Sequence, residues 1–423
     1  MAPEPAILLD VSRLISRLGQ GPATGIDRVE AEWLAHLQTR PHLLLCRVPR
    51  GQLLLPPAAG AAILRWGAGD TADLPPPGFL DRLRGRRHIR ARAEAALRRM
   101  ALARAGRDGQ GLARRVIRRM GPTSYLNTGH SNLEARLWQN LRGLRRVVLI
   151  HDTIPLDHPE FTRTGQSEKF RARFAAALGH ADLVLTVSQA TRADVLRWRD
   201  RLGLPDRAPV EAVPLGTRLA EPALLPSDAG PIPLDRPFFV TLGTIEPRKN
   251  HALLLDAWQE LARRMPPERL PRLYIIGRRG WENHQVFARL DALPRDGMVR
   301  EFAGLDDGAV AYLLTHCHGL LMPSRAEGFG LPLTEAAARG IPVLSAPLPA
   351  AREILGSYAR WLSPDDARGW AGAVALLAAE APLRLPPPQL RDWDMYFAQA
   401  HDLLHERLRN RAMAAMPGLS QVK

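Results

Sequence analysis

Short apolar runs alternate with stretches of helical periodicity along most of the chain. Ala6 to Val11 reads as a buried strand, and Ile26 to Leu37 carries apolar residues at helical spacing, so the chain opens β-loop-α. His42 to Leu55 holds two apolar runs split by Pro49-Arg50-Gly51, which predicts a hairpin. Pro56 to Gly78, rich in Pro, Ala and Gly, reads as loop. Arginines dominate from Arg82 to Met120, but Ile89, Ala93, Leu97 and Met100, then Leu112, Val116 and Met120, recur at helical intervals. Two basic amphipathic helices are expected there. Strands at Ser124–Asn127, Val147–His151 and Leu183–Val187, with helices over 166–178 and 191–199, complete a first domain that reads as doubly wound.

Prolines cluster at Pro222, Pro226, Pro231, Pro233 and Pro237. Such a stretch neither continues a helix nor supplies central-strand donors, so residues 222–236 are expected to link a domain over 1–221 to one over 237–388. After the linker, buried runs at 238–242, 272–276, 299–302, 319–323 and 342–345 alternate with helical stretches, the signature of a parallel sheet with right-handed crossovers. The fold class expected is α/β, with two Rossmann-like domains.

A chain of 423 residues supports two cores. Its formal charge of +15 rests on arginine, since the lysines are Lys169, Lys249 and Lys423 alone. The charge implies attraction for anions without choosing among nucleic acid, acidic lipid and phosphorylated substrate. Cys46 and Cys317 form no disulfide or zinc spacing. The first residues show no signal-peptide pattern, and no run approaches a membrane span, so the expected location is cytoplasmic, or peripheral on the inner face of the cell membrane.

In an open parallel sheet, ligands bind outside the carboxyl ends of the strands. The loop Gly243-Thr244-Ile245-Glu246-Pro247-Arg248-Lys249-Asn250 places Arg and Lys at the mouth of a helix, an arrangement suited to holding a diphosphate from two sides. In Glu327-Gly328-Phe329-Gly330-Leu331-Pro332-Leu333-Thr334-Glu335, the glycines allow close backbone approach, and each carboxylate can accept hydroxyl hydrogen bonds from a sugar or ribose. A solvated basic turn and a salt-bridged Glu are the bland alternatives.

These residues carry a resemblance. The second half is similar to the donor domain of the family-four retaining glycosyltransferases, of GT-B fold, mannosyltransferase-like subgroup. Glu327 and Glu335 match their E-x7-E motif, and Gly243 through Asn250 match their G-x-x-x-x-R/K-K-N loop. Ile276-Gly277, Phe302-Ala303-Gly304 and Pro323-Ser324 match further. The resemblance implies two domains across a cleft, with 389–423 packing back on the first. It implies that Arg248 and Lys249 contact the donor diphosphate, Glu335 the ribose and Glu327 the donor sugar. Gly243, Glu246, Asn250 and Gly277 would complete the donor site. Phe302 and Gly304 would border the base, and the backbone of Phe329, Gly330 and Leu331 the sugar and phosphate.

In the first half, Thr24 to Glu30 resembles the subgroup's loop-to-helix entry, which implies that Gly25 and Arg28 lie on the acceptor side. His151-Asp152-Thr153-Ile154-Pro155 resembles its H-D segment, which implies that His151 faces the reaction centre as a catalytic residue beside Arg248, Lys249 and Glu327, and that Asp152 lies on the acceptor side. Ser188 to Thr191 and Val213 to Gly216 fit the family's capped helix and domain exit. The implied partners are a nucleotide-sugar co-substrate, GDP-mannose favoured over a UDP-sugar, and a saccharide or lipid-linked saccharide acceptor. No cofactor is expected.

Other features carry less. Gly19, Gly21 and Gly25 have the wrong spacing for a dinucleotide fingerprint. His316-Cys317-His318 does not converge on a metal, and none is expected. Asp392-Trp393-Asp394 reads as a helix cap. The arginine-rich stretch suits a solvated face or an anionic membrane surface, whereas specific nucleic-acid binding is disfavoured because no aromatic is interleaved.

Overall fold

The structure, a computed structural model, describes residues 6–76, 88–225, 232–294 and 296–414, with side chains to residue 404. The first sheet contains β1 (Ala6–Asp10), β2 (His42–Val48), β3 (Gly51–Leu55), β4 (Ala103–Ala105), β5 (Thr123–Asn127), β6 (Arg145–Ile150), β7 (Leu183–Thr186) and β8 (Val210–Ala212). Their order is β4-β3-β2-β1-β5-β6-β7-β8. All pair in parallel except β3, antiparallel to both β2 and β4, which gives the expected hairpin at 42–55.

The second sheet contains β9 (Phe238–Leu242), β10 (Arg272–Ile276), β11 (Val299–Phe302), β12 (Gly319–Met322), β13 (Val343–Ser345) and β14 (Arg360–Trp361). Its order, β11-β10-β9-β12-β13-β14, is parallel throughout. β1 and β9 are buried at every position because helices cover both faces of each sheet. Each sheet therefore has two apolar layers, one per face. The order reverses at β9, which has β10 on one side and β12 on the other. The crevice outside their carboxyl ends is where such a sheet takes a ligand.

Three departures from the sequence reading have physical causes. Residues 56–78, expected as loop, contain the helix Ala58–Gly67, because Ala59, Ala62, Ile63 and Trp66 share one buried stripe. A Cβ at Gly60 would meet Gln38 Nε2 at 2.4 Å, so the missing side chain admits the neighbouring helix Gly25–Leu37. The arginine-rich stretch forms two helices, Ile89–Met100 and Leu112–Met120, but β4 runs between them. Residues 82–87 of that stretch lie outside the described residues. Finally, the stripes Ala93–Leu97 and Leu112–Val116 are buried in the first domain's core, so they are not presented outward as an anchor would need. Arg114, Arg118 and Arg119 stay exposed. Among the described residues, no helix is long and apolar enough to cross a membrane.

The helix Trp393–Ala414 returns to the first domain, where Trp33 Nε1 donates to Tyr396 Oη at 3.0 Å and the His36 ring stacks on Phe397. The outward and return crossings lie side by side. Thr217 N donates to Arg391 O at 2.8 Å, and a Cβ at Gly216 would stand 2.5 Å from Trp393 Cα.

Candidate functional site

The 243–250 loop leaves β9 through Gly243, whose φ of +128° favours glycine. Gly277, at the end of β10, lies so close that a Cβ there would be 1.9 Å from Gly243 O. Pro247–Lys249 makes one tight turn, and Asn250 takes the left-handed conformation with φ +57°. The Asn250 side chain donates to Pro323 O at 3.2 Å and Pro364 O at 2.8 Å. It therefore anchors the loop to the rest of the second domain. Helix His251–Arg264 follows.

Arg248 and Lys249 meet Glu327 in the loop after β12. Arg248 Nη1 donates to Glu327 Oε2 at 2.8 Å, and Lys249 Nζ donates to Oε1 at 2.5 Å. Arg248 Nε also pairs with Glu246 Oε1 at 2.6 Å. Burial works against the Glu327 charge, but Arg248 and Lys249 overcome it and hold the carboxyl down at about 2. Burial lifts Glu246 above the usual carboxylate range, with Arg248 and Lys249 opposing. Burial also lowers Lys249, with Glu327 opposing. A buried lysine and a part-buried arginine thus face two carboxylates at a reversal point of the sheet.

Glu335, in helix Leu331–Ala338, stands apart from this group. Its Oε1 accepts from Arg28 Nη1 at 2.8 Å, and Arg28 also bonds Asp307. Burial raises Glu335, while Arg28 pulls it back. Arg28, expected beside the acceptor, therefore crosses the cleft to the acid expected to hold ribose. Gly25 crosses with it, its Cβ position lying 3.8 Å from Leu331 Cδ1.

Between Glu327 and Glu335, the loop is pressed against the first domain. A Cβ at Gly328 would stand 2.0 Å from His151 O and 3.0 Å from Asp152 Cβ. Gly328 O accepts from Ser188 Oγ at 3.0 Å and Thr191 Oγ1 at 3.2 Å. Phe329 joins the core of the first domain, so its ring packs there and only its backbone is left for a ligand. Gly330 turns the chain into the helix with φ +103°. Phe302 is also a core residue, edge-on to Tyr274, and Gly304 beyond it has φ +85°. The cleft is closed.

On the first-domain side, His151 Nε2 lies 2.6 Å from Thr128 O and its ring lies edge-on to His130. Burial pulls His151 down to about 4, so the ring is neutral. One of its nitrogens is already taken by the backbone. Asp152 Oδ1 accepts from Ile154 N at 3.1 Å, and burial raises its carboxyl, with Arg248 opposing.

The structure thus gathers Arg248, Lys249, Glu246 and Glu327, with Asp152 close enough to feel Arg248 and Glu327. Sequence reasoning missed Asp307, which Arg28 bonds, and Glu353, whose carboxylate accepts from Gln189 N and Ala190 N across the cleft. Ser188 as a helix cap was visible, but its second bond to Gly328 O exists only in three dimensions. Among the described residues, no group of three or more His, Cys, Asp or Glu could hold a metal ion.

The glycosyl transferases group 1 family matches residues 227–385. The serotype-specific mannosyltransferase WbdA of Escherichia coli is 30% identical over 245 residues, 55% of this chain and 29% of that protein. The O-antigen chain mannosyltransferase B of Escherichia coli is 28% identical over 237 residues, 52% of this chain and 58% of that one. The match therefore spans under two thirds of either relative. Among solved structures, sucrose-phosphate synthase from Thermosynechococcus elongatus superposes with a TM-score of 0.59 at 16% identity, covering 97% of this chain and 100% of that one. HepE of Anabaena in complex with UDP-glucose superposes at 0.61 and 16%, covering 95% and 99%. At such identity these structures establish the fold, which is GT-B, as the sequence resemblance implied. Residues 227–385 thus match a glycosyl transferases group 1 domain set in that fold, and the chain is similar in sequence to O-antigen mannosyltransferases over about half its length.

Proposed function

We propose that this protein is a retaining, metal-independent glycosyltransferase that moves a hexose, mannose from GDP-mannose, to a saccharide or lipid-linked saccharide acceptor in polysaccharide or O-antigen synthesis. The observation that carries the reading is the part-buried Arg248–Lys249–Glu327 cluster at the reversal point of the second sheet. A departing nucleoside diphosphate gains negative charge, and two fixed cations beside a helix N-terminus stabilise that charge in place of a metal ion. In this reading the acceptor hydroxyl enters on the face the diphosphate leaves, and Asp152 borders it. Cleft closure excludes water, which would otherwise hydrolyse the donor. The exposed arginines of Leu112–Met120 would face anionic lipid by charge alone, holding the enzyme peripherally at the inner face of the membrane.

The mannose relatives favour GDP-mannose. A UDP-sugar is the second reading, since the fold neighbour HepE was solved with UDP-glucose. A thermal-shift screen against nucleoside diphosphates separates them, because the nucleotide bound tightest raises the melting temperature most. Lys249→Ala should lower transfer by about 10²-fold or more with the fold retained. Near-normal turnover in that variant would refute the diphosphate assignment.

A further inference from the structure

With the cleft closed, the cations of the 243–250 loop are already matched. Arg248 and Lys249 face Glu246 and Glu327 before any ligand arrives. A diphosphate brings negative charge of its own, and burying it calls for cations not already committed.

Such cations stand on the neighbouring turn. Gly277 and Gly280 pack directly on the 243–246 backbone, and Ile245 N donates to Arg278 O at 2.9 Å. Arg278 lies between those glycines and has no carboxylate partner among the described residues. Its Nη1 donates to Gln20 O at 2.6 Å. Arg17 Nη2, from the opposite domain, donates to the same oxygen at 3.4 Å. Two guanidinium groups, one from each side of the cleft, therefore converge on a single uncharged carbonyl.

The surroundings leave this spot positive. Among the described residues, Arg17 pairs with one carboxylate, Asp27, and shares it with Arg13. Arg163 lies over the Trp281 ring, 5.2 Å from its centroid, and also repels Arg278. The carboxylate of Glu282, four residues on from Arg278, accepts from Thr164 N. Burial and then Arg17 pull Arg278 below the ordinary arginine value, with Asp27 and Glu246 opposing. Like charges held together this way gain from an anion between them. Gln20 sits between Gly19 and Gly21, at φ +75° and +84°. Glycine takes such angles without strain, so the peptide that now occupies the spot can rotate aside.

We propose that Arg17 and Arg278 form a cross-domain clamp on the donor diphosphate, a second pair of cations assembled only while the cleft is shut. This rests on the nucleotide-sugar reading above. A phosphoryl oxygen replacing Gln20 O accepts both guanidinium N–H groups, and these charge-assisted bonds are stronger than those to a neutral carbonyl. Full stabilisation of the leaving group then waits for closure, so departure is tied to the exclusion of water.

The test is calorimetric titration of the full chain with GDP, UDP, inorganic pyrophosphate and the bare nucleosides. Arg17→Ala and Arg278→Ala should each weaken binding of the preferred diphosphate and of pyrophosphate about ten-fold or more, leave nucleoside binding unchanged, and lower kcat. Arg278→Lys should recover part of the loss. Should Arg17→Ala fail to fold without Asp27's partner, Arg278→Ala decides, since among the described residues its side chain hydrogen-bonds Gln20 O alone. Diphosphate binding lost in Lys249→Ala but intact in Arg17→Ala and Arg278→Ala would overturn the clamp alone. A wild-type protein that binds no nucleoside diphosphate would overturn the clamp and the nucleotide-sugar reading together.

Discussion

Replacing Glu327 with Gln removes one of the carboxylates facing part-buried Arg248 and buried Lys249 while keeping the side-chain shape. The folded protein holds the Glu327 carboxyl at about 2, against an ordinary 4.5. At about 1.4 kcal/mol per pKa unit, the charge contributes roughly 3 kcal/mol to stability near neutrality. Removing one partner of a buried pair costs about 3–5 kcal/mol in general, which agrees. The contribution is complete above 4.5, where the unfolded chain also ionises, and is lost as pH falls from 4.5 to about 2. Urea denaturation of the wild type and Glu327→Gln should therefore show a gap of roughly 3 kcal/mol at neutral pH that narrows over that acid interval. A second readout follows from the charge left unpaired. With Glu327 neutral, Arg248 and Lys249 lose their shared carboxylate and keep Glu246 and the nearby Asp152, so a nucleoside diphosphate should raise the melting temperature of the variant more than that of the wild type, even as transfer falls. Equal stability of the two proteins at neutral pH, or a smaller nucleotide shift in the variant, would refute the reasoning.

Gly328→Ala should block closure, because its Cβ would stand 2.0 Å from His151 O. Transfer should fall by about 10²-fold with the urea midpoint nearly unchanged, and wild-type transfer would show that the cleft need not shut this far. Tyr396→Phe removes the acceptor of Trp33 Nε1 in a buried interface and should cost about 1–3 kcal/mol. Chemical denaturation measures it, and no loss would mean the returning helix is held by packing alone. Burial holds His251 down at about 3, so it stays neutral in the fold while the unfolded chain takes a proton below 6.5. Wild-type stability should therefore fall relative to His251→Gln as pH drops from 6.5 to about 3, and a pH-independent difference would contradict its neutrality.

Strands β9 and β10 were legible because they are short, mostly apolar runs between turn residues, and β11, Val-Arg-Glu-Phe, by its place in the alternation; the structure begins and ends all three where the pattern does. That Arg248, Lys249 and Glu327 approach one another was legible too, since both loops follow neighbouring parallel strands, but Glu335, expected at the same crevice, pairs with Arg28 instead. The helix Ala58–Gly67 was hidden by Pro, Ala and Gly, which resemble loop composition until Leu34 and Gln38 show why Gly60 must be small. The orientation of His151 depends on Thr128 O, a carbonyl that carries no side-chain signature. The destination of Arg28 depends on the other domain, 307 residues away at Glu335, and no local pattern reports how two domains meet.

The paired crossings at Thr217 and Arg391 act as a door hung on two pins. A single peptide tether would let the halves swivel about its length, whereas two strands of backbone tied by a hydrogen bond resist twisting and yield mainly to bending. Opening and shutting then follow one arc. Each return along it brings Arg28 to Glu335, Ser188 to Gly328 and Arg17 to Arg278 in the same register, with no search among alternative alignments.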